Sequence, residues 1–122
     1  MKKLELTLCL LLALAGTGHV AGTLAGYEFG TEVFVWSLSA TAFVFTVVFL
    51  HLLRILRPGD RLIAIGAAVA TSVWICLALL FGFSIGALAD PRVMIHILTS
   101  LALLVTALRG LSSDEGQVGA TG

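Results

Sequence analysis

Two stretches decide the fold of this chain: VFVWSLSATAFVFTVVFLHLL at 33–53 and LIAIGAAVATSVWICLALLFGFSIG at 62–86. The first contains no charge and one histidine, and the second contains neither. A helix that crosses the hydrocarbon core needs about 20 mainly apolar residues, because in lipid the backbone must satisfy its own polar groups. Both stretches reach that length. Between them, Arg57-Pro58-Gly59 breaks one helix and Asp60 is placed to cap the next.

Working outward, Asp90-Pro91 reads as an N-cap followed by proline at the first helical position, which starts a further span over 91–109. Leu4 to Gly26 supplies the remaining one. Its first half is rich in leucine, and Gly16 to Gly26 is mostly glycine, threonine and alanine. The expected architecture is all-α, an integral membrane bundle of four transmembrane helices over 4–26, 33–53, 62–86 and 91–109. The alternative has three helices: Lys2-Lys3, the apolar Leu6 to Leu12 and Ala13-Leu14-Ala15 also fit the charged region, core and cleavage site of a secretory signal. The tail, residues 110–122, has no aromatic residue and few large apolar ones, so it is expected to be disordered and cytoplasmic.

Composition agrees with lipid as the solvent. Of 122 residues, 59% are hydrophobic and 11% charged, with seven basic and seven acidic side chains, whereas soluble domains are about one quarter charged. The neutral balance and the absence of a basic face argue against nucleic-acid binding. The zero sum hides an asymmetry. With the N-terminus inside, Lys2, Lys3, Arg54, Arg57, Arg61 and Arg109 lie on the cytoplasmic side and Arg92 alone lies outside. The positive-inside rule therefore sets an N-in/C-in topology in the plasma (inner) membrane. Cys9 and Cys76 lack a Cys-x-x-Cys spacing and read as small buried hydrophobes.

In lipid, small and polar residues mark the faces where helices meet. Gly18, Gly22 and Gly26 recur at four-residue spacing, as do Ala78, Gly82 and Gly86, so helix packing is expected along both ridges, within the bundle or against a neighbouring copy. On the fourth helix His96, Thr99, Ser100, Leu103, Thr106 and Ala107 form a protein-facing strip, opposite Met94, Ile97, Leu98, Leu101, Leu104, Val105 and Leu108. A weaker strip on the second comprises Ser37, Ala40, Thr41, Val44, Val48 and His51, opposed by Phe34, Leu38, Phe45, Phe49 and Leu52. Trp74, at mid-span, reads as packing, and Tyr27 and Trp36 read as interface anchors.

No carboxylate, lysine or arginine is read as lying within a span, which leaves His19, His51 and His96 as candidates for chemistry. His51 is near the Arg54 boundary and reads as an interface residue. At about 1.5 Å per residue, His19 and His96 lie roughly 12 and 9 Å below the outer boundary. Two imidazoles at one depth could ligate the iron of haem b axially, with Gly18 and Gly22 leaving room for the macrocycle. Alternatively they hold another metal or pigment, or hydrogen-bond neighbours such as Thr23 and Ser100. The primary expectation is a non-enzymatic accessory or structural subunit that packs in an oligomer or a larger membrane complex, surrounded by membrane lipids. The alternatives are a haem-carrying electron-transfer subunit using His19 and His96, and an oligomeric small-solute carrier or channel.

Overall fold

The structure, a computed structural model, describes residues 2–118, with side chains to residue 112. Four helices follow one another: α1 (Lys2–Gly26), α2 (Glu32–Leu56), α3 (Arg61–Ser84) and α4 (Pro91–Val118). All four are long and apolar enough to cross a membrane, so the chain is a multi-pass helical bundle. Each helix packs on its sequence neighbour and α4 closes back onto α1. The start of α1, the α2–α3 turn and the final turns of α4 share one end of the bundle, here called the basic end. The α1–α2 and α3–α4 turns form the far end.

Local chemistry places each turn. Thr31 caps α2, its hydroxyl accepting from the Phe34 amide at 3.3 Å, and Asp60 caps α3 by accepting from the Ile63 amide at 3.1 Å. Gly59 has φ +91° and Gly86 φ +64°, left-handed conformations in which glycine has no Cβ to clash. Gly86 thus belongs to the α3–α4 turn and is not a ridge residue of α3, which ends at Ser84. Before Pro91, Asp90 accepts from the Arg92 amide at 2.8 Å and from its guanidinium. The Arg92 side-chain contact is the main reason that the Asp90 carboxyl is held down at about 2.

Buried positions recur at alternating three- and four-residue steps: Glu5, Cys9, Leu12, Gly16 and Thr23 on α1; Phe34, Thr41, Val44, Val48 and His51 on α2; Val93, Ser100, Leu103 and Ala107 on α4. This repeat keeps one face of each helix toward its neighbours. Cys9, Leu12, Val44, Val47, Val48, Trp74 and Leu103 form the apolar core. The protein-facing strip read on α4 is the buried one, with His96 half-buried at its upper end. On α2, Phe34 differs from expectation: it is buried, its ring 5.1 Å from that of Phe29 in the preceding turn. Cys9 is buried as expected, whereas Cys76 is exposed on the lipid-facing side of α3.

The glycine ridges separate. A Cβ at Gly82 would lie 2.9 Å from Leu88 Cδ2 and 3.0 Å from Val93 Cγ1, so the α3–α4 connection packs directly on that backbone, with Ala78 buried one turn earlier. On α1 the residue in close approach is Gly16, whose Cβ would lie 3.1 Å from Val44 Cγ1. Among the described residues nothing lies within 4 Å of a Cβ at Gly18, Gly22 or Gly26, so of the two expected partners for that ridge the one within the bundle is corrected. Those three glycines point away from the bundle.

The continuation of α4 also departs from expectation. The helix runs through the polar segment after Arg109 to Val118, since extending an existing helix adds one hydrogen bond per residue without a new nucleation cost. The rest of the expected tail, residues 119–122, lies outside the described residues. On α1, the candidate cleavage site is inside a continuous helix, and cutting there would remove Glu5, Cys9 and Leu12 from the buried face.

Overpacking at a tight backbone contact costs about 1–3 kcal/mol. Gly82→Ala should lose stability in that range in detergent-solubilised protein followed by circular dichroism. Gly22→Ala should leave stability unchanged or slightly raised, because it adds helix propensity without a clash.

Candidate functional site

The strongest correction concerns charge inside the spans. Glu5 is 5% exposed and lies on the inner face of α1, so a carboxylate is buried within the bundle. Its partner is Arg54 in the last turn of α2, whose guanidinium donates to Glu5 Oε1 and, at 3.1 Å, to the Thr106 hydroxyl of α4. Gly110 lets Arg54 reach α4: a Cβ there would lie 2.8 Å from the guanidinium Nη1. His51 is likewise not an interface residue. It is fully buried, with Nδ1 3.2 Å from Glu5 Oε1 and Nε2 2.9 Å from the Thr71 hydroxyl of α3. All four helices therefore contribute to one polar cluster: Glu5, His51 with Arg54, Thr71 and Thr106.

A charge in the bilayer is tolerated when it faces the bundle interior and finds a partner. The Arg54–Glu5 pair meets that condition, and Arg54, at the end of α2, is also favoured by the negative end of the helix dipole. Sequence reasoning missed the cluster although Glu5 falls inside the span read over 4–26, because one carboxylate at the edge of a leucine-rich run was passed over. A signal was present. Glu5, Cys9, Leu12, Gly16, His19 and Thr23 recur at alternating four- and three-residue steps, and that stripe identifies the buried face of α1 better than the evenly spaced glycines.

Toward the far end, His19 is tied by a second set of polar groups. The Thr23 hydroxyl donates to the His19 carbonyl at 2.8 Å and lies 2.6 Å from the Ser37 hydroxyl, which is 3.0 Å from His19 Nε2. With the Thr23 proton committed to the carbonyl, the Ser37 proton goes to Thr23, and Nε2–H donates to Ser37. This orientation occupies the nitrogen that a haem ligand at His19 would present. His19 is thus hydrogen-bonded through Ser37, a partner that was not expected, and its ring reaches Thr23 only by way of that hydroxyl.

His96 occupies the adjoining interior. Its ring meets Trp74 edge-on, with centroids 5.3 Å apart. The expected His96–Ser100 hydrogen bond is absent: His96 Nδ1, Ser100 Oγ and Trp74 Nε1 are buried without a protein partner. His19 and His96 thus lie on inner faces of α1 and α4, but no protein hydrogen bond joins them among the described residues. Nor is there a group of three or more His, Cys, Asp or Glu residues able to hold a metal ion among the described residues. Glu28 and Glu32 are exposed at the far-end turn.

No family model, curated protein or solved structure matches this chain.

Removing one partner of a buried ion pair costs about 3–5 kcal/mol, because the remaining charge is left uncompensated. Glu5→Ala should lose stability on that scale in detergent unfolding, whereas Glu28→Ala at the exposed turn should change it by less than about 0.5 kcal/mol.

Proposed function

We propose that this chain is a small multi-pass membrane subunit without catalytic chemistry of its own, which acts by packing against another membrane subunit or a second copy of itself. The observation that carries this reading is the outward orientation of Gly18, Gly22 and Gly26, with no contact from the other described helices within 4 Å of a Cβ at any of them. Glycine in a helix interior is less favourable than alanine by roughly 0.5–1 kcal/mol per residue. On a face turned to lipid it contributes no packing, but it permits close backbone approach by another helix, the main source of helix association in membranes. The ridge lies toward the far end of α1, clear of the contacts that hold the bundle together.

The same reading places the protein in the plasma (inner) membrane with both termini cytoplasmic. Six of the seven basic residues, all but Arg92, lie on the helix ends and turn at the basic end, and such residues are retained on the cytoplasmic side.

The test is Gly22→Leu in the full-length protein, followed by crosslinking in membranes and by mass measurement in mild detergent. The variant should keep the wild-type unfolding profile and lose the native assembly mass. An unchanged assembly, or a wild-type protein that is monomeric and uncrosslinked in its native membrane, would overturn the reading. A visible spectrum of the same preparation tests the haem alternative. A strong Soret band that disappears in His19→Ala and His96→Ala would replace the accessory role with electron transfer.

A further inference from the structure

We propose that Glu5 and His51 form a binding site for a single proton, buried at the basic end of the bundle. The argument rests on hydrogen-bond donors. The Thr71 hydroxyl has one proton, and its oxygen lies 2.6 Å from the Ala67 carbonyl oxygen. Two oxygens that close need a hydrogen between them, so that proton is committed to the carbonyl. At its 2.9 Å contact with His51 Nε2, Thr71 is then an acceptor, and Nε2 carries a hydrogen.

The other ring nitrogen faces Glu5 Oε1 at 3.2 Å, and the same oxygen accepts from Arg54. Arg54 is always protonated and favours the ionised carboxylate. If Glu5 is ionised it can only accept, so Nδ1 must also carry a hydrogen and His51 is an imidazolium. Moving that hydrogen to Glu5 gives a neutral acid donating to a neutral imidazole. Both arrangements contain one proton beyond the ionised carboxylate and the neutral ring. Without it, the Nδ1 lone pair and the carboxylate oxygen would face each other with no hydrogen between them, and the direct α1–α2 link through His51 would be lost.

The surroundings retain the proton within this pair. From α1 come Glu5 itself and Cys9, one turn further along; from α2 comes Arg54. Among the groups in contact, α3 presents the uncharged Thr71, and α4 presents the uncharged Thr106 through Arg54. With the proton bound, the Glu5–His51–Arg54 cluster carries one net positive charge; after release it is neutral. Release is a simple dissociation of the bridging proton, with the electron pair left on Nδ1 or on Oε1.

The experiment is nuclear magnetic resonance of the full-length chain in lipid nanodiscs, with nitrogen-15 in the histidine rings and carbon-13 in the glutamate carboxyls. Thr71→Val assigns the His51 signal, because it alters a contact of that ring. With the proton bound, His51 should show both nitrogens protonated beside an ionised Glu5, or the pair should show a neutral ring beside a protonated Glu5. Raising the pH should then release one proton per chain from the pair in a single step. In Glu5→Gln, the imidazolium pattern should be lost at the pH where the wild type shows it. A neutral His51 beside an ionised Glu5 throughout the titration of the wild type would overturn the proposal. So would an imidazolium whose titration is unchanged in Glu5→Gln, since the proton would then belong to His51 alone. The wild-type measurement decides the question even if Glu5→Gln fails to fold.

Discussion

The pairing of Glu5 with Arg54 is the constraint around which the basic end is organised. In lipid neither charge can be left to solvent, and each must find its partner inside the protein. Glu5 lies at the start of α1 and Arg54 in the last turn of α2, so satisfying the pair aligns these antiparallel helices. Thr106 accepts a second guanidinium bond on α4, and His51 extends the cluster to Thr71 on α3. Buried ion pairs are weak sources of net stability but strong selectors of arrangement, because misplacing one partner strands the other. Here the selected arrangement is the closed ring of four helices, with α4 returned to α1.

Beyond that cluster the interior changes character. Cys9, Leu12, Val44, Val47 and Leu103 form an apolar layer, and farther on a second polar region surrounds His19, Ser37 and Thr23. Hydroxyl groups do much of the pairing in both regions, each sending its single proton to a backbone carbonyl or a neighbouring hydroxyl. The direction of those donors determines what each histidine can do. Around His19 the donors run from the ring through two hydroxyls to a carbonyl, and so consume the nitrogen that a metal would need. Around His51 they run outward from both nitrogens, and so require a proton.

The two glycine ridges show how like spacings can have unlike roles. Gly82 is covered by Leu88 and Val93, whereas Gly18, Gly22 and Gly26 are covered by nothing among the described residues. The first is part of the fold and the second is surplus to it. In the proposed role that outward ridge is the association surface, and its separation from the folding contacts would let it change without loss of the bundle.

The number of helices, the turns between them and the helix starts were legible in the sequence, because length, hydropathy, Pro58-Gly59 and the capping residues Asp60 and Asp90 act locally, whereas the end of α4 was not. The inner face of α4 was legible too, since its polar residues recur on one side of an otherwise apolar helix. On α1 the pattern was ambiguous: glycine, alanine and threonine occur on several sides, and composition alone does not rank them. Only the tertiary structure decided that Gly16 faces inward and Gly22 outward, that Glu5 and His51 are buried, and that the His19 ring meets Ser37. The physical reason is that a helix's length and ends depend on its own residues, whereas its rotation about its axis is set by which side chains on other helices can satisfy its buried polar groups.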